Sequence, residues 1–281
     1  MLPSSVAQWL ELQLLLLTEG EHPPELKPKH KILEAVPTIR GDFLERIRIG
    51  QIKIHRAGVE KFTPNGLITS TGEELEVDTI ILCTGYKMEF PYLPADSYQS
   101  ERDPNAIDAH NKIELYEFVH SVRYKNLFVI GMVEVPGPLA PASEAQARWS
   151  VGVLTKRVTL PSLDEMAAAV KVAHIKQAKT YVRSERHSTI TDFLPYLDRL
   201  LKPLGANPTF GRLFANVFTS GHPLQALSLM NAVYMQICAP SQYRLFGYKK
   251  SPELATATFL RTANGKKEMS EVEKRLIKRK E

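Results

Sequence analysis

The residues with the most chemical content run Asp78-Thr79-Ile80-Ile81-Leu82-Cys83-Thr84-Gly85-Tyr86, with Phe90-Pro91 just beyond. Thr79 to Cys83 is apolar without alternation, the pattern of a strand buried on both faces, and the run stops at Gly85. A strand ending in Thr-Gly lets backbone amides approach a flat cofactor, because glycine has no Cβ to hold a ligand away. Taken alone, the same residues also describe a buried strand that ends in a glycine turn, since lone glycine motifs carry little specificity.

A second unit runs Asn126-Leu127-Phe128-Val129-Ile130-Gly131-Met132, and Ser143-Glu144-Ala145-Gln146-Ala147-Arg148-Trp149 follows it. It reads as a strand from Leu127 to Ile130 stopping at Gly131, then a proline-rich loop from Val135 to Pro141. Next comes a helix N-capped by Ser143, with Gln146 three residues on, running through Leu154. The two units in this order resemble the flavin-containing monooxygenase family, the animal-type N-oxide-forming dimethylaniline monooxygenases. Its members carry a strand ending in Ala-Thr-Gly-Tyr before Phe-Pro, and later an Ile-Gly strand before a Ser/Thr-Glu-x-Gln-Ala-Arg-Trp helix. The resemblance continues upstream in Leu26-Lys27-Pro28-Lys29-His30 with Pro37-Thr38. Downstream it continues in Tyr196-Leu197-Asp198, Leu204-Gly205-Ala206-Asn207-Pro208 and Ser241-Gln242-Tyr243-Arg244-Leu245, so it covers nearly the whole chain.

The resemblance implies FAD and NADP(H) as cofactors, and transfer of one oxygen atom from O2 to a soft nucleophile, an amine nitrogen or a thioether sulfur. It places Thr84, Gly85 and Tyr86 at the return from the NADP domain to the FAD domain. It sets Gly131, Met132 and the loop to Pro141 beside the flavin, with the dipole of the Ser143 helix pointing toward it. With Gln146 these are the cofactor-binding candidates; no catalytic or metal-ligating residue is assigned. The implied fold is α/β, the C-terminal part of a flavoprotein with two dinucleotide-binding domains. Residues 1–77 would be a remnant of the NADP domain with a β-hairpin, 78–160 the end of the FAD domain, 161–265 an α-rich region with peripheral membrane contact, and 266–281 a charged tail. The implied location is the cytoplasmic side of the endoplasmic reticulum membrane, or the cytosol for a shortened chain.

Three departures qualify the resemblance. Cys83 stands where the family has alanine and reads as a small buried hydrophobe. Phe246-Gly247-Tyr248-Lys249-Lys250 replaces the family's Gly-Pro-Gly-Lys-Trp. No GxGxxG occurs anywhere, and a pyrophosphate needs such glycines to reach a helix N-terminus. The chain is therefore expected to be a monooxygenase portion that is inactive and flavin-free alone. The alternative is a shortened non-catalytic relative that acts as a binding or regulatory protein.

The positioning elements follow from local pattern. Val6 to Leu17 is helix-compatible, and Pro23, Pro24 and Pro28 mark a connector. Ile47, Ile49, Ile52 and Ile54 alternate as in a strand, and Val59 to Phe62 leads through Pro64-Asn65-Gly66 into a partner strand from Leu67 to Thr71. Ser162-Leu163-Asp164-Glu165 is a capping box, and helical signals with proline and glycine breaks continue to about Phe259.

Composition excludes other classes. The 281 residues are 43% hydrophobic and carry a net charge of +5, of which the tail from Lys266 supplies seven Lys or Arg against four Glu. No stripe of basic residues interleaved with aromatics suggests nucleic acid. Eight histidines lack HxxxH or HxH spacing, so they read as structural or surface groups, and Cys83 and Cys238 form no CxxC pair. Asp103, Asp108 and Glu114 read as a solvated loop, and there is no GxSxG. The apolar stretch from Leu213 to Cys238 reads as core in preference to a membrane face, and Lys278-Arg279-Lys280-Glu281 as a solvated end able to touch anionic lipid.

Overall fold

The computed structural model describes residues 23–27, 29–31, 34–36, 41–98, 111–182, 184, 187–236, 238–265, 268–269 and 271–278. The Val6 to Leu17 helix, Pro28, Pro37-Thr38, Asp103, Asp108 and Lys280-Glu281 lie outside them. Helices and sheets are both present, so the chain is of mixed α/β type. The helices are α1 (Phe43–Arg48), α2 (Leu139–Leu154), α3 (Leu163–Thr180), α4 (Phe193–Leu201), α5 (Phe210–Thr219), α6 (Pro223–Met235), α7 (Pro252–Ala263) and α8 (Glu271–Lys278). The strands are β1 (Val59–Thr63), β2 (Gly66–Thr69), β3 (Glu74–Glu76), β4 (Leu115–Tyr116) and β5 (His120–Ser121). The chain divides into two compact units. The first comprises Met1–Glu89, Asp103–Lys112 and Ala178–Ser188, and the second Phe90–Arg102, Ile113–Gln177 and Thr189–Glu281.

In the first unit the Pro64-Asn65 turn joins β1 to β2 antiparallel, with Phe62 opposite Leu67 and a bulge between Val59 and Lys61. A third strand, β3, extends the sheet with Leu75 opposite Leu67, which the sequence pattern did not signal. The isoleucine alternation does not make a strand: residues 43–48 are helical. Arg46 pairs with Asp42 at 2.8 Å and Arg48 with Glu45 at 3.6 Å, so helical i,i+4 and i,i+3 spacing outweighs a short apolar alternation.

Thr79 to Cys83 does not form the expected buried strand either. These residues belong to no strand, and Ile81 and Leu82 are 80% and 69% exposed. A strand buried on both faces needs hydrogen-bonded neighbours and two covering layers, and among the described residues none pairs with this run. Cys83, read as buried, is exposed with it.

In the second unit the Leu127 to Ile130 strand shrinks to a single bridge between His120 and Phe128. Ser121 N–H to Leu127 O (3.1 Å) and Val129 N–H to Val119 O (2.7 Å) flank it. The following helix begins at Leu139, not at Ser143. Pro141 reads as a loop residue, yet it falls in the first turn, where its missing N–H would have had no helical partner anyway. The Ser162 capping box forms as expected: the Ser162 N–H and hydroxyl both donate to Glu165 Oε2 at 2.8 Å, and Glu165 N–H donates to Ser162 Oγ at 3.3 Å. These bonds hold the Glu165 carboxyl below its usual range.

The α-rich second half is as expected, and its stripes build two cores. On α4, Tyr196, Leu197, Leu200 and Leu201 share one buried face and meet Ala142, Ala145 and Trp149 of α2. A second core gathers Leu213, Leu229, Ala232, Leu245 and Phe259. The apolar stretch from Leu213 is thus only half core. Phe218 (74%), Leu224 (83%) and Met235 (76%) stand exposed, as do Phe214, Leu227 and Tyr234. No helix among the described residues is long and apolar enough to cross a membrane.

Candidate functional site

The six sequence candidates divide between the units. Thr84, Gly85 and Tyr86 belong to the first; Gly131, Met132 and Gln146 belong to the second.

Thr84, Gly85 and Tyr86 lie on an exposed segment outside any helix or strand, with Tyr86 94% accessible. Gly85 has φ +87°, a conformation that favours glycine, and a Cβ added there would meet nothing within 4 Å. Asn111, buried, fixes the segment's end. Its Nδ2 donates to Tyr86 O at 3.1 Å and its Oδ1 accepts from Met88 N–H at 2.8 Å. Asn111 carries no sequence signal, because its partners are 23 and 25 residues away.

Around Gly131 the site is built from the inside. Gln146, on α2, is fully buried, and its Oε1 accepts the Gly131 N–H at 2.7 Å. Its Nε2 donates to Phe118 O at 3.0 Å and to Tyr196 Oη at 2.7 Å. Tyr196 Oη in turn donates a hydrogen bond to Glu117 O at 2.7 Å, and Arg199 pairs with the Glu117 carboxylate at 3.2 Å. Burial pushes the Tyr196 phenol far above its ordinary range. Gly131 sits at φ +89°, with space for a Cβ limited only by Ser143 Oγ at 3.7 Å. Ser143, displaced from the cap role, therefore lies against Gly131. Gln146 has no amide proton left for a ligand and shapes the site through the backbone it holds. Gly131 and Met132 are half-buried, and Ile130 is 45% exposed.

The rest of the Ser143 to Trp149 run is also structural in its contacts. Glu144 bridges Arg244 at 2.7 Å and Arg148 at 3.7 Å. Arg148 Nη1 donates to Tyr243 O and Nη2 to Tyr248 O. Trp149 meets Tyr116, His120 and Phe128 at ring distances of 6.1, 6.3 and 6.4 Å. His120 is wholly buried there, its Nε2 donating to Lys125 O at 3.1 Å, and burial lowers its pKa. Glu117 and Phe118 carry no sequence signal: both have positive φ, +50° and +54°, without being glycine or asparagine.

A dinucleotide cofactor asks for open backbone beside its ring and clustered amides for its diphosphate. Gly85 fits the first requirement. Nothing in the sequence fits the second, since no two glycines are two residues apart. Among the described residues there is no cluster of three His, Cys, Asp or Glu able to hold a metal.

Comparison with known proteins agrees with the motif order. Residues 1–279 match the family profile described as flavin-binding monooxygenase-like. Flavin-containing monooxygenase 5 of Oryctolagus cuniculus is 34% identical over 228 residues, covering 80% of this chain and 39% of the relative. Dimethylaniline monooxygenase (N-oxide-forming) 2 of Mus musculus is 29% identical over 249 residues, covering 88% and 43%. Flavin-containing monooxygenase 3 of Homo sapiens is 27% identical over 249 residues, with the same shares. The chain thus spans about two fifths of the length of these relatives.

Proposed function

The chain belongs to the flavin-binding monooxygenase-like family, and from that premise we propose that it is the C-terminal portion of an FAD- and NADPH-dependent monooxygenase with two dinucleotide-binding domains. The observation that carries this is the run from Thr79 to Cys83. It is an apolar, uncovered segment leading to an open glycine, and it suits a place inside a parallel sheet that the described residues do not supply. When bound, flavin would supply the oxygen-transfer chemistry. One atom of O2 would go to an amine nitrogen or thioether sulfur and the other would leave as water, with two electrons from NADPH. Thr84, Gly85 and Tyr86 would border the cofactor, and Gln146 would keep Gly131 and Met132 in place.

The test is complementation. The purified chain alone is expected to show no absorbance near about 450 nm, the region of oxidised flavin. Co-expressed with the nucleotide-binding part of a relative, it is expected to yield a yellow complex that oxidises NADPH in the presence of a tertiary amine. Gly85→Val should then cut flavin occupancy, because a β-branched side chain is strained at this φ and fills ring space. A colourless complex overturns the reading. Stoichiometric flavin on the chain alone overturns its dependence on a second part. A stable complex with a full-length relative that alters the relative's activity without restoring flavin would favour the binding or regulatory alternative.

The same reading includes peripheral contact with a membrane, at the endoplasmic reticulum in keeping with the implied location. The support is the surface of α5 and α6. Phe210, Phe214 and Phe218 form an exposed i, i+4, i+8 stripe, with ring separations of 6.0 and 5.2 Å. Arg212 is the single charged residue on either helix. Arg212 lies two residues from Phe210, off the stripe, where it donates to Gly205 O, so the face itself is apolar and free of acids, which suits a lipid surface. The chain is expected to co-sediment with phosphatidylserine-containing vesicles. Phe214→Ser with Phe218→Ser should weaken this at least about tenfold, since each buried ring contributes roughly 1.5–3 kcal/mol and about 1.4 kcal/mol is tenfold. Unchanged sedimentation of the double variant would exclude this face.

A further inference from the structure

We infer that Tyr196 is a positioning residue that acts through Gln146 to hold the Gly131 backbone; its bearing on catalysis rests on the reading that Gly131 borders the cofactor. The hydrogen bonds leave each proton a single place. The Gly131 N–H requires an acceptor, so Gln146 must turn Oε1 toward it. The Phe118 carbonyl requires a donor, so Nε2 faces that side. The second amide proton goes to Tyr196 Oη, and the tyrosine proton goes to the Glu117 carbonyl. The relay therefore begins and ends on backbone, and both of its side chains are fully buried.

All three backbone sites it grips are held in left-handed conformations: Glu117 at +50°, Phe118 at +54° and Gly131 at +89°. For the two non-glycine residues that conformation is costly and persists only where surrounding bonds impose it. The anchor is internal while what it presents is external: Ile130, beside Gly131, is 45% exposed. Without Oη, the Glu117 carbonyl loses its donor and one Gln146 proton loses its acceptor. The amide then keeps two of its three bonds, to Gly131 and Phe118, and holds the Gly131 N–H less firmly. A purely space-filling tyrosine would act otherwise, through its ring, which packs edge-on to Phe118 at 6.2 Å.

Tyr196→Phe separates the two roles, because it keeps the ring and removes only the hydroxyl. Amide hydrogen exchange is measured at Gly131 on the full chain, without flavin. The expected result is about tenfold faster exchange, the factor that corresponds to losing one typical buried hydrogen bond. In a Gln146→Met background the same substitution should change Gly131 exchange by less than about twofold, because the path has already been cut. Gln146→Glu keeps the acceptor for the Gly131 N–H but, ionised, has no proton for Tyr196 Oη or Phe118 O, so it should restore only part of the protection lost in Gln146→Met. Equal acceleration by Tyr196→Phe in both backgrounds, or none in either, overturns the inference. Since no flavin enters the measurement, failure of the flavin reading leaves this result standing, and a failed relay leaves the complementation result unaffected.

Discussion

Arg148→Ala is expected to lower the stability of the chain by about 3 kcal/mol, seen as a fall in the guanidinium midpoint at unchanged slope. Arg148 is only 7% exposed and binds two backbone carbonyls far along the chain, Tyr243 O at 2.9 Å and Tyr248 O at 2.7 Å. Hydrogen bonds from a charged donor contribute about 1.5–3 kcal/mol each, and carbonyls left buried without a donor are costly. Opposing this, burial and the neighbouring Arg244 cation both disfavour the charged guanidinium and lower its pKa, while Glu144 favours it. The Nε proton has no partner either, so the net effect is smaller than two full bonds suggest. Arg148→Lys is expected to recover less than half of the loss, because one ammonium cannot reproduce a fork that spans two carbonyls. A loss below about 1 kcal/mol for the alanine variant would show that the 240–248 segment is held by its apolar contacts alone.

That clamp also explains what the sequence motif encodes. Ser143 to Trp149 carries cofactor associations by resemblance, yet in the fold Glu144 and Arg148 tie α2 to residues 243–248, Gln146 ties it to Phe118, Gly131 and Tyr196, and Trp149 closes an aromatic cluster. The motif was legible as a set of residues, and its roles were not, because the partners lie 28, 50, 95 and 100 residues away. Signals that act within four residues are readable in part: the Pro64-Asn65 turn and the Ser162 and Glu165 box form as expected, whereas Ser143 caps no helix because the helix has already begun at Leu139. Signals that report a residue's surroundings misled. The uniform apolar run from Thr79 records an environment buried on both faces, and the described residues do not build that environment. Pro141 punctuates sequence as a loop and is silent in a first helical turn. The left-handed Glu117 and Phe118 leave no trace, since their conformation is imposed by donors from α2 and α4.

Acidification is expected to weaken the second unit through His120. Its Nε2 lies 3.1 Å from the Lys125 carbonyl, so that nitrogen must carry the proton, leaving Nδ1 bare. Nδ1 is buried without a partner, and the ring packs against Phe128 at 4.8 Å and Trp149 at 6.3 Å. A proton added there would form a cation with no acceptor beside two aromatic rings. Burial accordingly lowers the folded-state pKa, and the Lys125 carbonyl only partly offsets it. In the unfolded chain the same histidine takes its proton near pH 6.5. The unfolded state therefore binds more protons between the folded pKa and about pH 6.5, and stability rises with pH across that window. The contribution is fully present above about pH 6.5 and is lost as pH falls through the folded pKa, with a slope of at most about 1.36 kcal/mol per pH unit for one proton. Denaturation midpoints at pH 7.5, 6.5 and 5.5 should decline in the wild-type chain, and the decline should flatten in His120→Phe, which keeps an aromatic ring between Phe128 and Trp149. An equal decline in both proteins would assign the acid sensitivity elsewhere. Because Val119 and Phe128 join the β5 segment to the stretch that leads into Gly131, loss of order at low pH should spread to Gly131, detectable as faster amide exchange there before global unfolding.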